Sequence, residues 1–443
     1  MKYRTISFIM AAATLIMIPF IVHASPYQIA PNHNTGTITV DTPDVYNSLS
    51  PFDNDYGRGI INITSTGTLT NNSGAILNNN YGGIPFTGSG ALLQNTGTLI
   101  NNSGATINNY GVPYNGAYLI NNATMINYGT LNNYFYMGNA GSSATLTNYG
   151  ELNTNFLSNV SSAVLNNYGT LTNLGDDMEN SSGGTLNNYG LLANSGGTLF
   201  NRSNSAVNNY GTFNNSGTLH NEGTLTNSGT INNSGIVTNS GTITGTGNYI
   251  QTAGQTILQK GSSLSQPSLG IQGGTLTTSG NDAYAGNSTI TGNVTIGSDA
   301  TLHVQWPSTM TINGDLYCSG NLMFDMYAPW SSFQTQLDIN GNAYLTGGTF
   351  TFNFGSWSTG WWTDYSLDAD DFLLADSITG WDTISYNIAG LNTDSSKGYG
   401  YYTFAVDRDT HILTLTYVPE PTTMLLLGLG LMGLAGVRRK FQK

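Results

Sequence analysis

Two acidic clusters are the places in this sequence where side chains could do chemistry. The first, GDDMEN at 175–180, sets Asp176, Asp177 and Glu179 close together and interrupts the surrounding pattern like a loop over a lateral groove. Hydrolysis of a glycosidic bond needs two carboxyl groups facing one cleft, one as acid and one as base or nucleophile. The second, LDADDFLLAD at 367–376, gathers Asp368, Asp370, Asp371 and Asp376. Such oxygen-rich runs can hold Ca2+, although this one lacks the glycine and the glutamate of an EF-hand loop. A solvated acidic loop is the competing reading. His33, His220, His303 and His411 stand apart, without metal-ligand spacing. No Gly-x-Ser-x-Gly nucleophile motif occurs. Cys318 is the only cysteine, so no internal disulfide forms, and it reads as a small buried hydrophobe. These residues support a non-enzymatic chain with no resident cofactor beyond a weak calcium candidate. The alternative is a polysaccharide lyase or hydrolase.

The elements that must position these groups are set by a repeat. The stretch GTLHNEGTLTNSGTINNSG at 217–235 states one six-residue phrase three times, and its glycine recurs at Gly211, Gly217, Gly223, Gly229, Gly235 and Gly241. Thr followed by Leu, Ile or Phe favours strand, and Asn-Ser-Gly favours a turn. Strand alternation sends Leu219 and Asn221 inward and Thr218 and His220 outward. A slower period frames the hexads. Tyr-Gly falls at Tyr110, Tyr128, Tyr149, Tyr168, Tyr189 and Tyr210, at intervals of 18, 21, 19, 21 and 21 residues. Three hexads make one such interval, so both periods fit one turn of a three-sided solenoid.

The expected fold is therefore all-β: a parallel β-helix (three-sided β-solenoid), its 18–21-residue turns leaning towards the right-handed form, with a C-terminal β cap. One coil buries too little apolar surface to offset its ordering entropy, so coils must stack. Inward asparagines are tolerable only if their amides pair from coil to coil. The corner tyrosines are expected to form an aromatic ladder. The stretch LTNSGTINNSG resembles the repeats of filamentous haemagglutinin-type and autotransporter-type β-helical adhesins. That resemblance implies a β-helical adhesin fold over about half of the chain.

Both ends read as export signals. Lys2, Arg4, the apolar run ISFIMAAATLIMIPFIV and Val22-His23-Ala24 make a cleavable signal helix over 1–24. At the other end Pro419, Glu420 and Pro421 precede an apolar run from Thr422 to Val437, then Arg438, Arg439 and Lys440 as a basic stop. A helix of that length spans about 24 Å, short for a hydrocarbon core of about 30 Å, which suits a transient inner-membrane anchor. The positive cluster stays cytoplasmic, with everything upstream outside. The ending Val418–Lys440 resembles the PEP-CTERM sorting signal. The resemblance implies an exosortase membrane protease as processing partner. It also implies a Gram-negative, exopolysaccharide-making host, and an outer-surface or matrix address after an inner-membrane intermediate. No outer-membrane barrel follows the repeats, so self-export as an autotransporter is not expected.

Between its ends the chain carries five basic and 24 acidic residues, a net charge of −19 over 25–421. Such a chain does not seek nucleic acid or anionic lipid. The expected organisation is a signal at 1–24, a linker or N-terminal cap at 25–55, regular repeats at 56–250, irregular coils at 251–350, a capping β-structure at 351–417 and the sorting signal at 418–443. YYTFAVDRDTHILTLTY, from 401, is expected to be a hairpin turning at Asp407–Thr410. The function expected is that of an adhesin or structural component of an extracellular polysaccharide matrix. A self-associating surface-layer or filament subunit is a further alternative.

Overall fold

A computed structural model describes residues 33–34, 37–40, 45–47, 52–54, 60–79, 92–112, 115–280, 286–326, 335–354, 365–393, 401–418 and 429–432. The signal segment, Pro419–Pro421 and Arg438–Lys440 lie outside the described residues, as does the expected membrane helix apart from a helical turn at 429–432. Among the described residues no helix is long and apolar enough to cross a membrane. The chain is all-β, and the strands of its coils pair in parallel, as its periods require. It divides into two compact units, Met1–Ile257 with Ser262–Leu269, and Leu258–Gly261 with Gly270–Lys443.

In the first unit a coil has three sides and three corners, with a short strand on each side except where Thr130–Ala140 and Glu151–Val160 run through a corner. Ala206–Asn209, Thr212–Asn215 and Thr218–Asn221 make one coil, and Thr224–Asn227, Thr230–Asn233 and Ile236–Asn239 make the next. Each strand pairs in parallel with its counterpart one coil earlier, Thr212 opposite Thr230 and Asn215 opposite Asn233. Leu219 and Asn221 are buried while Thr218 and His220 stay partly exposed, as alternation dictates. Leu165, Leu186, Val207, Leu225 and Ile243 form one continuous apolar column, each at most 1% exposed. Full burial of such side chains contributes about 1.5–3 kcal/mol each. Strands at Thr37–Val40 and Val45–Asn47, within the region expected as linker or cap, pair into the same stack.

Corners, not strands, set the uneven period. Along one column of buried asparagines successive coils advance by 30, 26, 21, 19, 21, 21 and 18 residues. The corner at 181–184 in a 21-residue coil shrinks to Glu222-Gly223 in the 18-residue coil. The longer corners use left-handed backbone, with φ 51° at Ser182, 81° at Gly183 and 64° at Asn204. The hexad glycines Gly211–Gly241 do not: none has φ in that region. Their role differs from the turn preference that the sequence suggests. A Cβ at Gly211 would fall on the carbonyl oxygen of Gly190, and one at Gly229 on that of Gly211. Glycine is needed there for close approach of one coil to the next.

The inward asparagines pair as coil stacking demands. Asn148 Nδ2 donates to Asn167 Oδ1, Asn167 to Asn188 and Asn188 to Asn209, each at 2.8 Å. Each amide has a second acceptor in the backbone of the following coil, as Asn188 has in Thr212 O at 2.9 Å. A second column runs from Asn95 to Asn239 in the same sense. The third is interrupted. Asn133 Nδ2 donates to Thr154 Oγ1 at 2.9 Å, and the column resumes at Asn173, whose buried Oδ1 has no hydrogen-bond partner. The break coincides with the single-residue corner at Asn155, which makes the coil 19 residues long. Thr154→Asn is expected to supply the missing donor and stabilise the unit by about 1 kcal/mol. A shift of the urea midpoint to higher concentration checks this; an unchanged midpoint shows that the break costs nothing.

The second unit keeps three sides with longer coils. Thr309–Asn313, Leu316–Cys318 and Asn321–Met326 pair in parallel with successive stretches of the strand Ser288–Val304. Gln336–Leu345 and Thr349–Phe354 form the following coil, and Leu373–Thr379 and Ser385–Ala389 the one after. Phenylalanines replace leucines here: Phe324, Phe350, Phe352 and Phe354 are all fully buried. The expected final hairpin is present, Tyr401–Asp407 and Ile412–Val418, and Tyr365–Asp368 joins it in an antiparallel sheet. Asp407 Oδ1 accepts from Asp409 N at 3.0 Å across the turn. The sheet packs on the last coil through Arg408, which donates to Asp382 O and Ile384 O, and through His411 stacked on Trp381 at 4.4 Å.

Candidate functional site

Gly175 and Asp176 of the acidic hexapeptide lie in a corner, and the rest of it is strand. Asp177–Asn180 is a regular strand paired with Thr198–Asn201, with Met178 and Asn180 inward. DMEN is thus the ordinary Thr-Leu-x-Asn strand with carboxylates at its two outward positions. The strand period overrode the composition that suggested a loop. Asp177 and Glu179 stand on one outer face, alongside a network that the sequence reading missed. Arg202 Nη1 meets Glu222 Oε1 at 2.9 Å and its Nε lies 3.6 Å from Glu179 Oε1. Its guanidinium covers the Phe200 ring at 4.1 Å, and Phe200 stacks on His220 at 5.2 Å. Partial burial, then the neighbouring Arg202 charge, holds the His220 imidazole below its ordinary pKa. The signal available in the sequence was the 20-residue, coil-length spacing of Arg202 and Glu222.

The aspartates at 368–376 are not drawn together. Asp368 ends a strand, and its side chain accepts from Asp370 N at 3.0 Å to cap the turn Ala369–Asp371. Asp370 lies 3.3 Å from His411 Nδ1. Asp371 ends the turn, and Asp376 sits exposed on the next strand, Leu373–Thr379. A cap, a contact with His411 and a strand position account for these aspartates. Among the described residues no group of three or more His, Cys, Asp or Glu is placed to hold a metal ion. His303, isolated in sequence, meets Asp325 Oδ1 at 2.7 Å, and Asn353 Nδ2 donates to the same oxygen at 2.6 Å.

Cys318 is 1% exposed and donates to Gly320 O at 3.6 Å, and burial pushes its thiol up to about 11. Reactivity belongs to the thiolate. A disulfide-forming thiol reagent at neutral pH is therefore expected to label Cys318 only when the second unit unfolds. The folded pKa lies above the unfolded one, so this group's contribution to stability is present below the unfolded pKa and lost as pH rises through about 11. Fast labelling of the native protein would contradict the closed packing.

An ordered aromatic array stands on the surface of the first unit. Tyr128, Tyr149, Tyr168, Tyr189 and Tyr210 stack in one column with centroids 4.9, 5.0, 4.6 and 4.9 Å apart and planes within 12° of parallel. Tyr110, expected to be the first rung, belongs elsewhere. Asn109 is in register with Asn133, so Tyr110 stacks on Tyr134 at 5.2 Å. The 18-residue step from Tyr110 to Tyr128 is a coincidence of corner lengths. Because each ring is carried one coil along by the register, Tyr149, Tyr168 and Tyr189 have both faces covered by neighbours, and their exposure falls on the ring edges. Partial desolvation, then the phenols of Tyr168 and Tyr210, raise the pKa of Tyr189.

Comparison with known proteins bears on the route rather than the surface. Residues 418–440 match the family model of the PEP-CTERM protein-sorting motif. No curated protein and no solved structure matches the chain. The motif spans Pro419-Glu420-Pro421, the apolar run and Arg438–Lys440. It marks the chain as an exported, surface-sorted substrate of an exosortase.

Proposed function

We propose that this exported chain is a non-enzymatic adhesin or structural component of an extracellular polysaccharide matrix, working by multivalent contact along rows of identical side chains. The observation that carries the reading is the tyrosine column. Outward threonine and asparagine columns flank it, among them Asn166, Asn187 and Asn208, which are themselves linked at 2.8 Å. Covered ring faces leave edges and hydroxyls, so a glycan would be held mainly by hydrogen bonds. An open face remains at the column's end, where Ser228 takes the rung after Tyr210. Each contact is weak, and a polymer touching many rungs gains avidity.

Retention of the exported protein on polysaccharide from its own host tests this. Replacing the five column tyrosines with alanine is expected to abolish retention, and no retention of the parent at millimolar sugar sinks the reading. A β-helix enzyme acting on polysaccharide is favoured by one observation, the side-by-side outward carboxylates of Asp177 and Glu179. Polysaccharide cleavage that disappears in Asp177→Asn with Glu179→Gln would establish that reading instead.

A further inference from the structure

The five column tyrosines are between 44% and 50% exposed. Their centroids lie 4.6–5.0 Å apart, and stacking covers ring faces, so the exposed part of each inner ring is its edge. A phenoxyl radical carries unpaired spin on the ring carbons beside its oxygen, which are edge positions that stacking leaves uncovered. We infer that the column is an oxidative cross-linking site, joining one copy of this chain to a second copy through dityrosine bonds. The inference goes beyond the matrix reading and does not require a bound glycan.

The chemistry balances with a peroxide as oxidant. A haem peroxidase and hydrogen peroxide remove one hydrogen atom from each of two phenols. The two phenoxyl radicals form one carbon–carbon bond between positions ortho to their oxygens. The two ring hydrogens at those carbons then move to the oxygens, which restores both hydroxyls. Two phenols have lost two electrons and two protons, and one hydrogen peroxide has become two waters.

Geometry directs the bond outward. The product sets two rings edge to edge, whereas column neighbours lie face to face on hydrogen-bonded coils. They cannot reach the product geometry without parting Tyr189 N from Asn167 O and Tyr210 N from Asn188 O, bonds of 2.7 and 2.8 Å. Parallel rings at this spacing can also share an unpaired electron, which keeps the radical in the column until a second copy arrives. Two columns that meet in register can then join at more than one rung, because the first bond raises the effective concentration of the rest. Tyr249 is excluded, 1% exposed with its hydroxyl 2.7 Å from Thr256 Oγ1.

The test treats the full exported chain with a haem peroxidase and hydrogen peroxide and no polysaccharide, so its failure is separate from failure of the matrix reading. Dimers that resist detergent, dityrosine fluorescence and cross-linked peptides pairing the column tyrosines are expected. A variant with all five replaced by phenylalanine keeps the stacked rings and should lose the dimers. Four results would each overturn the inference. These are equal dimer formation by that variant, cross-links mapped to Tyr110, Tyr118, Tyr134 or Tyr417 instead, cross-links confined to single chains, or no product while free tyrosine couples under the same conditions.

Discussion

Gly190→Ala is expected to destabilise the first unit by about 3 kcal/mol, the upper end for overpacking. The added Cβ would fall on Gly169 O and crowd Tyr168 O and Tyr168 C. All three are backbone atoms of a paired coil, so no side chain can swing aside. Relief requires lifting one coil from the other, which stretches Gly190 N to Asn167 O at 3.0 Å and Leu191 N to Gly169 O at 2.9 Å. Gly175 is the internal control. A Cβ there meets nothing within 4 Å and its backbone is not left-handed, so Gly175→Ala should change stability by less than about 0.5 kcal/mol. Urea denaturation of the two variants separates the cases. Equal midpoints would show that glycine recurs for some reason other than close approach.

Asn188→Leu is expected to cost about 3–5 kcal/mol although it nearly conserves volume, because each orphaned buried polar group costs about 1–3 kcal/mol. Asn167 Nδ2 loses the Oδ1 acceptor at 2.8 Å, and Asn209 Oδ1 loses its donor at the same distance. Thr212 O loses a bond of 2.9 Å. Asn187, one residue earlier, joins a row outside the sheet, donating to Asn166 Oδ1 at 2.8 Å. Water can replace that bond, so Asn187→Leu should cost under about 1 kcal/mol. In a stack where each coil touches only its neighbours, the loss at Asn188 should divide the unit's unfolding into two transitions. A single transition with an unchanged midpoint would mean that the inner column carries no stability.

The sequence made much of this visible because strand alternation and the hexad have the same cause. Leu219 inward, His220 outward and Asn221 paired across coils all follow from period two inside period six. Corners were harder to read. Their lengths vary independently of the strands, so the interval from Tyr110 to Tyr128 imitated a coil that does not exist. Asp177–Asn180 misled in the opposite way: its charges suggested a loop, while burial of Met178 and Asn180 kept the strand. The role of the hexad glycines was hidden as well, because close approach between coils has no signature distinct from a turn. The networks around Arg202 and Asp325 join residues about one coil apart, and only the settled register shows which of them meet.

The one-way sense of the buried amides has a consequence for how the molecule is made. Every inner asparagine from Asn95 to Asn221 hands its hydrogen to a residue 18–26 positions later. Nothing in that column waits for a partner from the far end of the polypeptide. A chain threading outward amino end first can therefore lay each new turn on a completed template. Growth of this kind needs only the coil before it, as in other stacked repeats, and no contact between distant coils. It gives a surface-sorted protein a way to fold beyond the membrane at the pace of its own translocation.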